Sequence, residues 1–300
     1  MEAKFITPVV TAFDKNGNLD LQANKNIWDF VIKGGVDAII LMGSTGEFFA
    51  MPLEQRKELI IAAAKHINHR VPLIVGTSCM QLNETIELTK FSKEQGADAV
   101  ILVPPYYFSL PDQCVEDYFC QIAREVDINI YLYNYPERVG YDLKPDVILN
   151  LCRKNKNIVG CKDTVINMAH TREIIKKVLP DFPKFEVLSG YDDFFAHNVL
   201  SGGSGTIGGL SNVAPEVSTG WVKAFRNNDA MGMAFFQKQM DILAGLFEFG
   251  VPFVPLVKKA MMLRGIEMED YCTPPLLRAS EEQTVKIKEI LRKVNITFIE

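Results

Sequence analysis

Short apolar runs recur along the first two thirds of the chain and alternate with stretches of helical periodicity. Each run is rich in aliphatic, β-branched or aromatic residues and ends in a polar or glycine-rich turn, as strands do. The eight runs span residues 5–13, 37–47, 72–79, 99–107, 128–136, 158–164, 185–193 and 205–212. Most begin about 30 residues after the previous one, which is the length of one strand–helix unit. No other feature of the sequence constrains the fold so strongly.

The segments between the runs predict amphipathic helices. Residues 52–67 open with Pro52, which suits a first helical turn, and place Leu59, Ile60 and Ile67 along one stripe. Further helices are predicted at residues 20–33, 82–95, 112–126, 145–154 and 168–179. Nearly continuous apolar strands that alternate with such helices indicate an α/β fold with a parallel sheet covered by helices. Eight units favour a closed (β/α)8 TIM barrel over an open doubly wound sheet.

Residues 215–300 differ from the rest because they contain no convincing strand. Their periodicity predicts helices near 215–227, 230–248, 252–264 and 281–293. This helical region is larger than the closing of a barrel requires, and no linker rich in Gly, Ser or Pro precedes it. We therefore expect a barrel domain over residues 1–214, and a closing helix and C-terminal helical extension over 215–300 that pack on it. The stretch 230–247 is apolar all round, which indicates a buried helix or a subunit contact.

Composition argues against several classes of function. A net charge of −5 over 300 residues disfavours nucleic acid or an anionic membrane as a constant partner. The N-terminus lacks the pattern of a signal peptide, and no apolar stretch is long enough to span a membrane. The six cysteines form no C-x-x-C and the four histidines show no ligand spacing, so we expect a cytoplasmic protein without a metal. No G-x-G-x-x-G follows the first run, and no cofactor is expected.

Lys162 stands near the end of the sixth run, where a charged side chain is costly. In an extended run it shares a face with Ile158 and Gly160, whereas Asp163 faces the other way. Burial favours the neutral form of a lysine amine, and a neutral amine can attack a carbonyl to form a Schiff base. The alternative is a lysine that merely ends a strand and extends its ammonium group into water.

In a (β/α)8 barrel the catalytic groups lie at the carboxyl ends of the strands. The second run ends in residues 43–47, where glycines and hydroxyls suit a carboxylate or phosphate. Tyr133, near the end of the fifth run, shares a face with Tyr131 and can carry a proton beside an amine. The eighth run is almost bare of side chains, so a ligand can approach its backbone closely. An amine, phenols, hydroxyls and an anion cradle favour imine chemistry on a keto acid, with Lys162 as the nucleophile.

The same strand ends carry recognisable motifs. They are G-S-T-G-E (43–47), P-P-Y-Y (104–107), Y-x-Y-N-x-P (131–136), G-x-K-D-T (160–164) and S-G-Y-D-D (189–193). Over nearly its full length the chain resembles the dihydrodipicolinate synthase / N-acetylneuraminate lyase family of class I, pyruvate-dependent aldolases. The motifs occur in the order of that family, which makes the resemblance specific.

The resemblance implies roles for individual residues. Lys162 would form the Schiff base with pyruvate or another 2-keto acid, and Tyr133 would donate and accept the proton as the C–C bond breaks. Ser44 would take the relay position, where the synthases carry threonine. Tyr107 would extend into the site of a neighbouring subunit, so the resemblance implies a tight dimer that is usually paired into a homotetramer.

The resemblance also implies how the substrate is held. Thr45 and its neighbouring amides would hold the carboxylate of pyruvate, and the backbone at Ile207 would lie against the bound keto acid. Thr164 and Gly190, from the last two motifs, are expected to bind the substrate as well. Arg138 falls in N-x-P-x-R-x-G, where the synthases keep an arginine for the carboxylate of their second substrate.

The motifs also bear on which substrate is used. The motif G-C-K-D-T-V-I-N resembles that of the 2-keto-3-deoxygluconate aldolases. The motifs Y-L-Y-N-Y-P and G-Y-D-D point to the same sub-family. We therefore expect reversible cleavage of a 2-keto-3-deoxy sugar acid to pyruvate and an aldehyde. The runner-up, favoured by Arg138, is 4-hydroxy-tetrahydrodipicolinate synthase, which condenses pyruvate with aspartate semialdehyde. N-acetylneuraminate lyase, a keto-deoxy sugar acid dehydratase, a metal-dependent class II aldolase and a non-catalytic barrel are further alternatives.

Overall fold

Eight parallel strands close into a barrel in the order in which they occur along the chain. The computed structural model describes residues 3–250 and 252–299. The strands are β1 (Lys4–Pro8), β2 (Ala38–Leu41), β3 (Leu73–Gly76), β4 (Ala99–Leu102), β5 (Asn129–Asn134), β6 (Ile158–Asp163), β7 (Glu186–Ser189) and β8 (Gly205–Ile207). Every predicted strand is present, and the predicted α/β class and (β/α)8 barrel are confirmed.

Helices alternate with these strands and continue beyond the last one. They are α1 (Leu21–Lys33), α2 (Leu53–Ile67), α3 (Leu82–Glu94), α4 (Asp112–Glu125), α5 (Pro136–Val139), α6 (Pro145–Lys154), α7 (Met168–Val178), α8 (Phe195–Leu200), α9 (Pro215–Arg226), α10 (Ala230–Ala244), α11 (Val254–Leu263) and α12 (Glu281–Lys293). Every predicted helix occurs. Helices α5 and α8 were not predicted, because 4 and 6 residues are too few to show a helical period. Across the described ranges, no helix is both long and apolar enough to cross a membrane.

The pairing of β5 with β6 decides which of their side chains face each other. The register shifts between Ile130 and Tyr131. Beyond the shift Tyr133 pairs with Lys162, and Asn134 pairs with Asp163. A slip of one residue would turn each side chain to the opposite face of the sheet, so this irregularity sets the geometry at the carboxyl ends of both strands.

The chain groups into two compact units. One runs from Leu73 to Ile207 and contains β3 to β8 with α3 to α8. The other contains the chain up to Pro72 and from Gly208 onward, with β1, β2, α1, α2 and α9 to α12. In this other unit α9 packs on β1 and on α10, and α11 packs on α12. The division into 1–214 and 215–300 stays a prediction.

Helix α10 is only partly buried although its sequence is apolar all round. Within this helix, which is described throughout, only Met240 and Leu243 are buried, whereas Met231 is 84% exposed. It packs closely on α9, where a Cβ added at Gly220 would lie 2.2 Å from the ring of Phe236. A buried helix is therefore the wrong alternative for the single chain, because α10 packs through one face. The subunit contact stays a prediction.

Candidate active site

Lys162 and Tyr133 lie side by side at the carboxyl ends of β6 and β5. The amine Nζ of Lys162 is 4.4 Å from the centre of the Tyr133 ring. Both side chains are buried, with exposed fractions of 7% and 5%. This burial contradicts the alternative of a lysine that extends its ammonium group into water, and the catalytic role of Lys162 stays a prediction. A buried amine against a phenol is the pair that imine chemistry with proton transfer requires.

Gly160 leaves the space that the ring of Tyr131 occupies on this face of the sheet. A Cβ at Gly160 would lie 2.5 Å from the Tyr131 ring and 2.9 Å from the backbone oxygen of Glu186. The hydroxyl of Tyr131 donates to Oε2 of Glu186 at 2.9 Å. Burial, and then the charge of Glu186, raise the pKa of Tyr131 above its ordinary value. Tyr131 is thus a protonated packing residue beneath the Lys162–Tyr133 pair.

Asp163 faces away from Lys162 and is in contact with three polar side chains. Its carboxylate accepts hydrogen bonds from Nδ2 of Asn134 at 2.9 Å and from Oγ1 of Thr171 at 2.6 Å. Nδ1 of His170 lies 3.1 Å from both carboxylate oxygens. These contacts join β5, β6 and α7 directly behind Lys162 and Tyr133. The sequence pattern did not single out Asp163, although its place after Lys162 and the alternation of a strand put it on the helix side.

His170 is held in a negative environment. Burial by itself lowers the pKa of its ring, but the hydrogen bond and charge of Asp163, assisted by Asp142, raise the pKa above its ordinary value. Nε2 of the ring lies 3.4 Å from Oδ1 of Asp142, which also accepts from Asn134 at 3.1 Å. The network is therefore most favourable with a protonated imidazole.

Thr164 and Gly190 are in contact, as a shared site requires. A Cβ at Gly190 would stand 1.9 Å from Oγ1 of Thr164, so only glycine fits there. The amide of Thr164 donates to the oxygen of Asn134 at 2.9 Å. Its hydroxyl is buried and has no hydrogen-bond partner among residues 3–250 and 252–299. A buried hydroxyl without a partner is costly, which suits a group that completes its hydrogen bonding with a ligand.

Arg138 lies on α5 and is exposed. Its guanidinium carbon is 4.6 Å from the centre of the Tyr135 ring, whose own centre is 6.1 Å from that of Tyr133. Burial raises the pKa of Tyr135, an effect that Arg138 partly opposes, and burial raises the pKa of Tyr191 to about 12. The residue that follows β5, Tyr135, thus carries a phenol of raised pKa with a guanidinium stacked on its ring.

Tyr107 has an unusual backbone and an exposed ring. Its φ is 99°, a region that bulky residues rarely adopt, and its side chain is 84% exposed. The ring packs edge-on against Phe108, with 5.0 Å between centres. A strained aromatic residue at the surface commonly marks a functional position.

The remaining predicted residues lie at the ends of β2 and β8. Ser44 and Thr45 begin a 3-10 turn that closes at Gly46, and Thr45 is 4% exposed whereas Ser44 is half-buried. Oγ1 of Thr11, in the segment that follows β1, donates to the oxygen of Gly46 at 2.8 Å and supports the turn. Ile207 is the last residue of β8 and is buried. In the described parts of the chain, no group of three or more His, Cys, Asp or Glu residues could hold a metal ion.

Known proteins are similar to this chain in sequence and in structure. The model of the Dihydrodipicolinate synthetase family matches residues 1–294. The crystal structure of YagE, a prophage protein of the dihydrodipicolinic acid synthase family from E. coli K12 in complex with pyruvate, has a TM-score of 0.96 and 34% identity. The alignment covers 98% of this chain and 99% of that one. The Escherichia coli K12 protein named "Probable 2-dehydro-3-deoxy-D-pentonate aldolase YjhH" is 37% identical over 286 residues, which are 95% of either chain.

A synthase is similar to the chain at a slightly lower level. The 4-hydroxy-tetrahydrodipicolinate synthase of Hydrogenobaculum sp. (strain Y04AAS1) is 34% identical over 298 residues, which cover 97% of this chain and 98% of that one. Aldolase and synthase relatives thus both match over nearly the whole length. The resemblance inferred from the motifs is confirmed, and the chain belongs to the dihydrodipicolinate synthetase family.

Proposed function

We propose that this chain is a class I aldolase that reversibly cleaves a 2-keto-3-deoxy sugar acid to pyruvate and an aldehyde. The observation that carries the proposal is the buried amine of Lys162, 4.4 Å from the centre of the Tyr133 ring. Family membership and the aldolase relative YjhH indicate lyase chemistry, and YagE binds pyruvate. No cofactor is needed for this reaction, because the lysine itself supplies the electron sink.

The cleavage uses the lysine as nucleophile and the phenol as proton carrier. The amine of Lys162 attacks the C2 ketone, and loss of water gives a protonated imine. Tyr133 takes the proton of the C4 hydroxyl as the C3–C4 bond breaks, the aldehyde leaves and the bonding electrons form an enamine. The enamine gains a proton at C3, and water hydrolyses the imine to release pyruvate and the free amine.

Other residues are proposed to bind and orient the substrate. Thr45 and the backbone of its turn would hold the carboxylate, the backbone at Ile207 would lie against the keto acid, and Ser44 would relay a proton. Thr164 offers its unpartnered hydroxyl to a hydroxyl of the sugar chain, which relieves a cost of about 1–3 kcal/mol. Gly190 leaves the space that this contact needs.

Reductive trapping tests the proposal directly. The protein is incubated with pyruvate and sodium borohydride, and the modified peptide is located by mass spectrometry. We expect a single adduct, on Lys162, and no adduct in a folded Lys162→Ala variant. Lys154→Ala is the matched control, because Lys154 is half-exposed and pairs with Glu116 on the outer helices, so this variant should trap pyruvate like the wild type. An adduct on another residue, or none in the wild type, would contradict the proposal.

A synthase is the second candidate function, because Arg138 stands in N-x-P-x-R-x-G and a synthase relative is 34% identical. In a synthase the guanidinium would pair with the carboxylate of aspartate semialdehyde, which is a strong, directional contact. Here it stacks on Tyr135 and the residue is exposed, which favours a supporting role. For Arg138→Ala we therefore expect kcat/KM for 2-keto-3-deoxygluconate cleavage to fall by less than about tenfold.

The two functions are separated by one panel of substrates. We would measure kcat/KM of wild type and Arg138→Ala for 2-keto-3-deoxygluconate and for pyruvate with aspartate semialdehyde. A wild type that prefers the semialdehyde, and loses that activity in Arg138→Ala, would establish the synthase instead. Pyruvate with N-acetylmannosamine in the same panel tests the neuraminate lyase alternative.

We also propose that the enzyme is a cytoplasmic homotetramer built as a dimer of dimers. The exposed, strained Tyr107 supports a dimer in which this residue enters the neighbouring site. None of the six cysteines, all of which lie in the described ranges, forms a disulfide, which suits a reducing compartment. The proposed partners are therefore pyruvate, an aldehyde or keto-deoxy sugar acid, and further copies of the same chain.

A further inference from the structure

Glu47 closes the turn of Ser44, Thr45 and Gly46 in a conformation that glutamate rarely adopts. Its φ and ψ are 57° and 32°, in the left-handed region that favours glycine or asparagine. Its side chain is fully buried. A buried charge on a strained backbone persists only when the surroundings hold it in place.

The surroundings of Glu47 come from the C-terminal helical region. Lys258 of α11, which is also fully buried, forms an ion pair with Oε1 of Glu47. The backbone amide and the hydroxyl of Thr273 each donate to Oε2 of Glu47 at 2.7 Å. Lys258 in turn donates to the backbone oxygen of Tyr271 at 2.7 Å. We call Glu47, Lys258 and Thr273 the buried clamp.

The buried clamp continues directly into the backbone of the turn. The amide of Glu47 donates to the oxygen of Ser44 at 3.3 Å, and its own oxygen accepts from the amide of Ala50 at 3.1 Å. The opposite side of the turn is fixed by the hydrogen bond from Thr11 to Gly46. The backbone around Thr45 is therefore held by the segment that follows β1 on one side and by the C-terminal region on the other.

Stability alone does not account for such a pair. Two buried charges lose their hydration, so a buried ion pair is often no more stabilising than apolar side chains of the same volume. An unpaired carboxylate two residues from Thr45 would also oppose the binding of an anion. Lys258 thus removes a charge that would act against a carboxylate ligand at this turn.

We propose that Lys258 and Thr273 are positioning residues, which act through Glu47 to set the affinity of the Thr45 turn for the carboxylate of the keto acid. The inference rests on the proposed function, because it takes the turn as the carboxylate site. It gives the C-terminal helical region a role in substrate binding although Lys258 and Thr273 do not themselves react.

The test compares variants that break the clamp with one that does not. Lys258→Met alone leaves an unpaired buried carboxylate and is expected to fold poorly, whereas Glu47→Gln/Lys258→Met removes both charges and should fold. For this double variant we expect KM for pyruvate to rise on the order of tenfold or more with kcat little changed. Lys259→Met is the matched control, because Lys259 pairs with Asp270 outside the clamp, and its KM should equal that of the wild type.

Thr273→Val provides a second, milder test that does not depend on the double variant. It keeps the shape and the amide donor but removes the hydroxyl contact with Glu47, so KM for pyruvate should rise by about threefold or more, and the melting temperature should fall modestly without loss of the fold. A folded double variant with the KM of the wild type overturns the inference. If the double variant does not fold, a wild-type KM in Thr273→Val overturns it equally.

Borohydride trapping separates this inference from the proposed function. The pyruvate concentration for half-maximal trapping on Lys162 is measured in the wild type and in each variant. A wild type without an adduct would refute the aldolase itself. A wild-type adduct with unchanged half-maximal concentrations in the clamp variants would leave the aldolase in place and refute only the role of Lys258 and Thr273.

Discussion

Tyr133 is buried against the amine that we propose as nucleophile, and we propose that its hydroxyl carries the protons that are transferred after imine formation. In Tyr133→Phe we expect kcat to fall by about 10²–10⁴-fold, because a general acid–base group is lost. Reductive trapping of pyruvate should persist, since Lys162 remains. The measurements are steady-state cleavage rates and the yield of the borohydride adduct.

Tyr141→Phe is the control for this experiment. It also removes a buried phenolic hydroxyl, one that donates to Asp112 at 2.9 Å. Its kcat should stay within about twofold of the wild type, because the lost bond lies outside the catalytic pair. A Tyr133→Phe variant that turns over at the wild-type rate would make Tyr133 a packing residue.

Gly160 should tolerate no side chain. In Gly160→Ala the added Cβ would meet the ring of Tyr131 at 2.5 Å and a backbone oxygen at 2.9 Å, so we expect a loss of about 1–3 kcal/mol in the free energy of unfolding. Urea denaturation measures this loss. Gly245→Ala is the control, since its nearest contact would be 3.4 Å from Ile290 on a helical backbone. Equal stability of the two variants would show that Tyr131 moves aside at little cost.

Single residues could be predicted wherever one strand and its alternation decide their surroundings. Lys162 and Tyr133 were singled out in this way, because both stand near the end of an apolar run. The role of Asp163 depends on its contacts with Thr171 and His170 of α7. Hydrophobic periodicity predicts the helix but not which of its side chains contact Asp163. The missing partner of Thr164 is likewise a property of the folded neighbourhood.

The hydrogen-bond network around Asp163 joins three elements, and its contribution to the stability of the fold depends on pH. Because the pKa of His170 is raised in the folded protein, the protonated imidazole stabilises the fold. This contribution is fully present below the ordinary pKa of His170, near 6.5, and is lost as the pH rises through its raised value. We therefore expect His170→Gln to destabilise the protein more at about pH 5.5 than at about pH 9.

Chemical denaturation of wild type and variant at several pH values measures this difference. The groups that face the imidazole are Asp163 and Asp142. Thr171→Val is the control, because it removes a hydrogen bond to Asp163 without removing a titrating group. Thr171→Val should destabilise the protein equally at both pH values. An effect of His170→Gln that does not change with pH would contradict the raised pKa of His170.

At the scale of elements, the sequence predicted the long helices and all the strands, but not where each strand stops. The runs extend past the ladders because the turns at the carboxyl ends are themselves buried, as Met42 and Thr45 show. The apolar character of α10 was read correctly, yet its exposure was not, since composition does not say which face meets a neighbour. The register shift at Ile130 could not be predicted from the hydrophobic pattern of the sequence either.

At the scale of the molecule, we expect the 33.7 kDa chain to associate through the surface of Tyr107 and Phe108. These rings are 84% and 69% exposed. Replacing both with serine should weaken association by at least about tenfold, because aromatic residues dominate such contacts. Sedimentation velocity over a range of concentrations measures the change, with Leu277→Ser as an equally exposed control. A monomeric wild type at micromolar concentration would remove the oligomer proposal.

The buried clamp has a consequence for the order in which the protein is made. Glu47 emerges early from the ribosome, and Thr273 follows it by 226 positions. Throughout that interval the carboxylate has neither of its C-terminal partners and must remain hydrated. We therefore expect the turn around Thr45 to take its final form only after Thr273 has been synthesised. A chain that ends before Thr273 would carry Lys162 and Tyr133, but the turn that we propose as the carboxylate site would lack its support.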